Sequence, residues 1–159
     1  MATYNRTSSC GGTVGHPSSA ANAYVITSPV YDAVDNSTLG DGDIVELIDL
    51  PADTMVLGGC IETLEASGNG NMTFDVGFTG GDVDCFVDGG ASTAIITPFL
   101  SAAAGASASN AVLVTSADTL DLLVISSSGT TAAWRFRAHV VLADVSKNPV
   151  ESATVSTGT

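Results

Sequence analysis

The residues best placed to do chemistry are carboxylates. The Gly-rich segment Gly80-Gly81-Asp82-Val83-Asp84-Cys85-Phe86-Val87-Asp88-Gly89-Gly90 gathers three of them within seven positions. Asp82, Asp84 and Asp88 are hard oxygen donors of the kind that hold Ca²⁺. Their spacing is not that of an EF-hand loop, and no Glu follows at the distance needed to close one. The expectation is therefore a solvated acidic turn and no bound metal. Asp41 and Asp43, on either side of Gly42, offer less still.

Catalytic arrangements fare no better. Hydrolysis by paired carboxylates needs one acid in an apolar pocket, whereas these Asp residues fall mostly in Gly-rich turns where water keeps them ionised. A Ser–His–Asp triad would have to use His16 or His139, and no Ser sits in a G-x-S-x-G elbow. Both histidines are expected to be structural. The glycines form neither G-x-G-x-x-G nor a P-loop, so phosphates have no cradle and no cofactor is expected. Cys10, Cys60 and Cys85 are an odd set without C-x-x-C spacing, which reads as three free thiols. Three Asn-x-Thr matches, at Asn5, Asn36 and Asn71, mean little without a secretory signal.

Arg135 and Arg137 stand apart. They share one face of a run whose other face carries Trp134 and Phe136, and two adjacent arginines in so acidic a chain need acidic neighbours. Those neighbours are either cross-strand Asp or Glu of the same subunit, or groups on another subunit or partner surface.

The elements that must position these residues are strands. At 159 residues the chain has the length of one domain with a full core. Only 13% of residues are charged, and Gly, Ser, Thr and Ala are abundant. That composition favours strands and turns over surface helices. Met72, Phe74, Val76 and Phe78 alternate with Asn71, Thr73, Asp75 and Gly77, predicting a half-buried strand. Trp134 to Leu142 alternates likewise. Ile44 to Leu50 carries apolar side chains on both faces, as a strand covered on both sides would. Gly58-Gly59 in the long run from Met55 to Ala66 predicts a bulge or a close backbone approach.

Short strands are also expected at Cys85 to Val87 and at Ala94 to Leu100, with a loop over Ser101 to Asn110. Hairpin turns are expected at Ser67 to Gly70 and Ser128 to Thr130. About eight such strands imply two packed antiparallel sheets. The predicted fold is an all-β antiparallel sandwich, jelly-roll-like, with an immunoglobulin-like arrangement second. Its expected bounds are an extended N-terminal arm over 1–22, the sandwich over 23–146 and a polar tail over 147–159.

Seventeen acidic and 4 basic residues give a net charge of −13. Residues 1 to 31 hold Arg6 and no acid, so the remainder carries 3 basic and 17 acidic residues, a net −14. Such a body repels nucleic acid and anionic membranes, and neither is an expected partner. No apolar stretch approaches the ~18 residues of a membrane span. With no charged region and apolar run near the start, assembly in a bacterial cytoplasm is expected.

The chain resembles a family of tailed-phage virion proteins, the capsid decoration or cement proteins. The resemblance rests on Gly42-Asp43-Ile44-Val45-Glu46-Leu47-Ile48-Asp49-Leu50-Pro51, then Met55-Val56-Leu57-Gly58-Gly59. It continues through Phe74-Asp75-Val76-Gly77 to Asp84-Cys85-Phe86-Val87-Asp88-Gly89, about a third of the chain. It implies a non-enzymatic homotrimer on the outer capsid surface that binds the major capsid protein and staples capsomers. Candidate capsid or subunit contacts are Tyr4, Arg6, Val14 and His16 in the arm, with Arg135 and Arg137 in the body. Two other functions fit an acidic sandwich: a tail or baseplate protein that binds a host glycan, and a hydrolase on a sandwich scaffold.

Overall fold

A computed structural model describes residues 22–36, 39–68, 72–78, 81–99, 111–126 and 133–145. Every regular element among them is a strand. The order is β1 (Asn22–Thr27), β2 (Tyr31–Asp32), β3 (Ile44–Leu50), β4 (Thr54–Glu65), β5 (Thr73–Gly77), β6 (Val87–Ala91), β7 (Ile96–Pro98), β8 (Val112–Val114), β9 (Asp118–Ser126) and β10 (Arg135–Asp144).

All pairings are antiparallel. One sheet runs β1-β10-β4-β7, with β2 continuing the line of β1 along β10 and β8 pairing with β4 beside β7. The other runs β3-β9-β5-β6. The chain passes between the sheets at β2–β3, β3–β4, β4–β5, β6–β7, β8–β9 and β9–β10, a jelly-roll-like path.

Alternation explains the core. Trp134, Phe136, Ala138, Val140 and Leu142 point inward from one sheet; Leu120, Leu122, Val124, Phe74 and Val76 point inward from the other; all are fully buried. Each large apolar side chain so buried contributes about 1.5–3 kcal/mol. The rings of Trp134 and Phe136 lie 4.1 Å apart, and Trp134 reaches Phe74 across the interface at 5.4 Å. Phe86 and Phe99 stack at 5.4 Å on a second crossing.

Four details depart from the sequence reading. The Ile44–Leu50 strand has one covered face: its pairing with β9 shifts between Glu46 and Ile48. The extra residue, Leu47, re-phases the alternation, so Val45, Leu47, Ile48 and Leu50 are buried while Glu46 and Asp49 stay exposed. Conversely, β5 is covered on both faces, for Asp75 and Gly77 are buried alongside Phe74 and Val76. The strand expected at Cys85 to Val87 starts only at Val87. Finally, β4 and β5 are not a hairpin, nor are β9 and β10, because each pair is divided between the sheets. Ser101 to Asn110 lies outside the described residues.

The diglycine of β4 answers to both readings given for it. Pairing with β10 shifts opposite Val141 and Leu142, leaving Leu57 as the bulged residue, and Gly58 takes a φ of 151°. A side chain on Gly59 would meet the His139 carbonyl and lie 2.8 Å from the Phe99 ring. Gly59→Ala should therefore cost roughly 1–3 kcal/mol in urea unfolding. Gly68→Ala, where a β-carbon meets nothing within 4 Å, should leave the midpoint almost unchanged.

Candidate functional site

The outer face of the β1-β10-β4 sheet is the best-organised polar surface among the described residues, and strand register decides what stands on it. One row reads Asp32, Arg135, Glu65 and the next Arg137, Glu62, Ile96. A third reads Thr27, His139, Cys60, Pro98. Toward the other end the rows turn apolar: Val25, Val141, Gly58, then Ala23, Ala143, Met55, Leu113. The face is thus charged at one end and apolar at the other.

Glu62 is the hub of the charged end. Arg137 Nε donates to its Oε2 at 2.6 Å, and His139 Nε2 lies 2.8 Å from the same oxygen. His139 Nδ1 in turn lies 2.9 Å from Thr27 Oγ1, so three strands are stitched by one chain of polar contacts. The His139 and Arg137 hydrogen bonds hold the Glu62 carboxyl below its ordinary range. Arg135 Nε pairs with Asp32 Oδ2 at 3.0 Å, and its Nη1 lies 4.0 Å from Glu65 Oε2. Both arginines are therefore paired with acids of their own subunit, the first of the two arrangements expected for them. Tyr4, Arg6, Val14 and His16 lie outside the described residues.

A hydroxyl, an imidazole and a carboxylate in this order resemble the relay of an acyl-transfer enzyme. The surroundings do not. Thr27 is exposed on an open sheet face that excludes no water, and Arg137 already engages the carboxylate that would orient the histidine. The arrangement fits a surface clasp.

Backbone hydrogen bonds order the acidic turn. Phe78 N donates to Asp82 O, Gly81 N to Phe78 O and Phe86 N to Val76 O, which folds the turn onto the end of β5. Gly77 is required there, since a β-carbon would collide with the Asp82 carbonyl and Val83 backbone. Asp75 accepts a 2.8 Å bond from Gly89 N while only 7% exposed. Burial, then the charges of Asp88 and Asp84, push its carboxyl above the usual range. A hydrogen bond to the Asp84 carboxyl raises Asp82 likewise. Burial pushes the Cys85 thiol up to about 12. Among the described residues no three His, Cys, Asp or Glu are grouped so as to hold a metal ion.

The sequence reading passed over Glu62 and Asp75. Period two puts Glu62 on the same face as Cys60, but only the register of β4 against β10 brings it to Arg137 and His139. Nothing in the local sequence distinguishes Asp75 from its exposed neighbours.

No family model and no curated protein matches the chain. Three solved structures with a similar fold come from phage capsids. A chain of the cyanophage Pam1 capsid asymmetric unit superposes with a TM-score of 0.59 at 18% identity, over 83% of this chain and 91% of that one. A chain of the acidic stable capsid of Helicobacter pylori bacteriophage KHP30 gives 0.54 at 12%, over 78% and 89%. One from the capsid of Ralstonia phage GP4 gives 0.52 at 13%, over 83% and 89%. The shared property is the fold.

Glu62 and Asp75 act in opposite directions with pH. Glu62, with its folded value depressed, stabilises at neutral pH and ceases to do so as pH falls through that value. Glu62→Gln should thus lower the unfolding midpoint at pH 7, by less at high salt, and the difference should vanish in acid. Asp75, with its folded value raised, opposes folding once pH rises through the carboxylate range. Asp75→Asn keeps an acceptor for Gly89 N and should raise the melting temperature at pH 7 with no gain in acid, as calorimetry across pH 3 to 7 would show.

Proposed function

We propose that this protein is a structural component of a tailed-phage head, a cement subunit that decorates the capsid's outer surface and binds the major capsid protein at capsomer boundaries. The observation that carries the proposal is the near-complete overlap with three phage capsid chains. The match spans 78–83% of this chain and 89–91% of each neighbour, so chains of similar length are being compared as wholes.

Charge supports a place outside the shell. Arg135 and Arg137 are neutralised within the subunit, which leaves an excess of acid facing solvent and repelling packaged DNA. A glycan-binding role draws no support from the body, where the large aromatics Trp134, Phe74, Phe86 and Phe136 are fully buried. No helix among the described residues is long and apolar enough to cross a membrane. Stapling a shell calls for many weak contacts repeated by symmetry, and the homotrimer implied by the resemblance would supply them threefold. In this reading residues 1–21, with Arg6 and no acid, extend from the body onto the shell.

Purified protein added to heads assembled without it should appear in electron cryomicroscopy as density at symmetric sites on the outer surface, and should raise the temperature at which the heads rupture. Density on the tail alone, or none, overturns the reading. Deleting residues 1–21, which stops short of β1, should weaken attachment at least tenfold while shifting the melting temperature of the free protein by no more than a few degrees.

A further inference from the structure

The four lateral edges of the sandwich are not equally protected. On β3 the edge carries the exposed acids Glu46 and Asp49 and a bulge. The edge at β6 is five residues long with Asp88, Gly89 and Gly90 in it, and Gly89 takes a φ of 69°. Opposite β1, the edge consists of two three-residue strands, one ending in Pro98. Charge, bulges, proline and brevity are the devices that keep sheet edges from pairing. The β1 edge has none of them: Asn-Ala-Tyr-Val-Ile-Thr is six residues, uncharged, continuous in register with β10 and followed by Pro29 only after it ends.

The unpaired groups on that edge can be named. Ser28 exchanges hydrogen bonds with Ala138, its N donating to Ala138 O while Ala138 N donates to the Ser28 hydroxyl. Antiparallel pairing alternates, so Ile26 and Tyr24 also direct their backbone groups toward β10, and Ala23, Val25 and Thr27 direct theirs outward. No bond from the described residues reaches those outward groups, since β1 pairs with β10 alone. The side chains of the same three residues are exposed, Val25 by 65%.

We propose that β1 is the contact strand for a second copy of this chain, paired antiparallel about a two-fold axis through Val25. The parity of the edge fits that occupant. With Val25 opposite the partner's Val25, Ala23 falls opposite the partner's Thr27 and Thr27 opposite the partner's Ala23. Every outward-facing residue then meets an outward-facing one, and about six backbone hydrogen bonds form. The uncharged strand brings no like charges together at the centre of the contact. The contact is two-fold, so it doubles whatever unit other surfaces build, and it stands apart from the capsid reading because it forms in free solution.

Charge substitution at the axis tests the register. Val25→Lys and Val25→Glu each place two like charges directly opposite one another, and the exposed position keeps the fold intact. Sedimentation velocity at 0.15 M salt should show the wild type doubling with concentration. Each variant alone should lose at least tenfold in that association, and an equimolar mixture of the two should recover it. Wild-type protein that does not double, variants that associate as well as the wild type, or a mixture that fails to recover would each overturn the proposal.

Discussion

Two apolar sheet faces must close on each other before any surface feature of this protein can exist, and the closure is made chiefly by aromatic rings. Trp134 and Phe136 of one sheet meet Phe74 of the other, while Phe86 and Phe99 make a second crossing nearby. The indole Nε1 of Trp134 is buried with no hydrogen-bond partner among the described residues, which costs about 1–3 kcal/mol. Packing of the fully buried ring outweighs it, since removing a large buried aromatic costs about 3–5 kcal/mol. Because Trp134, just before β10, and Phe136 within it point inward, period-two geometry must send Arg135, Arg137 and His139 outward. The clasp around Glu62 is thus a by-product of the core.

Much of this was legible in the sequence wherever one residue type repeats every second position. Trp134 to Leu142 and Met72 to Phe78 announced their inner faces, and the diglycine announced its bulge. What escaped was set by distant partners. Leu47 is an ordinary apolar residue until pairing with β9 leaves it unmatched. Asp75 becomes buried where β6, which bears Gly89, pairs with β5. The turns at Ser67 and Ser128 have the chemistry of hairpin loops, and that chemistry is equally suited to carrying a chain from one sheet to the other. Local composition does not choose between those routes.

For the candidate site the sequence went halfway. It identified the two arginines as needing acids and could not say which, because Asp32, Glu62 and Glu65 lie 70 or more positions away in the chain. The structure assigns them: each arginine is paired with an acid of its own subunit. Also open on that sheet are the backbone along β1 and apolar side chains from Val25 to Leu113. A repeating assembly made from such surfaces gains its affinity from geometry and repetition more than from charge.

Cys85 shows a further effect of the closure. Its thiol lies in the acidic turn, 6% exposed, and burial pushes its pKa up to about 12, so at neutral pH it is almost wholly protonated. The thiolate is the reactive form toward oxidants and alkylating reagents. This sulfur therefore stays silent while the two layers hold together and becomes reactive when they part. The chain carries its own chemical clock for how often the sandwich breathes.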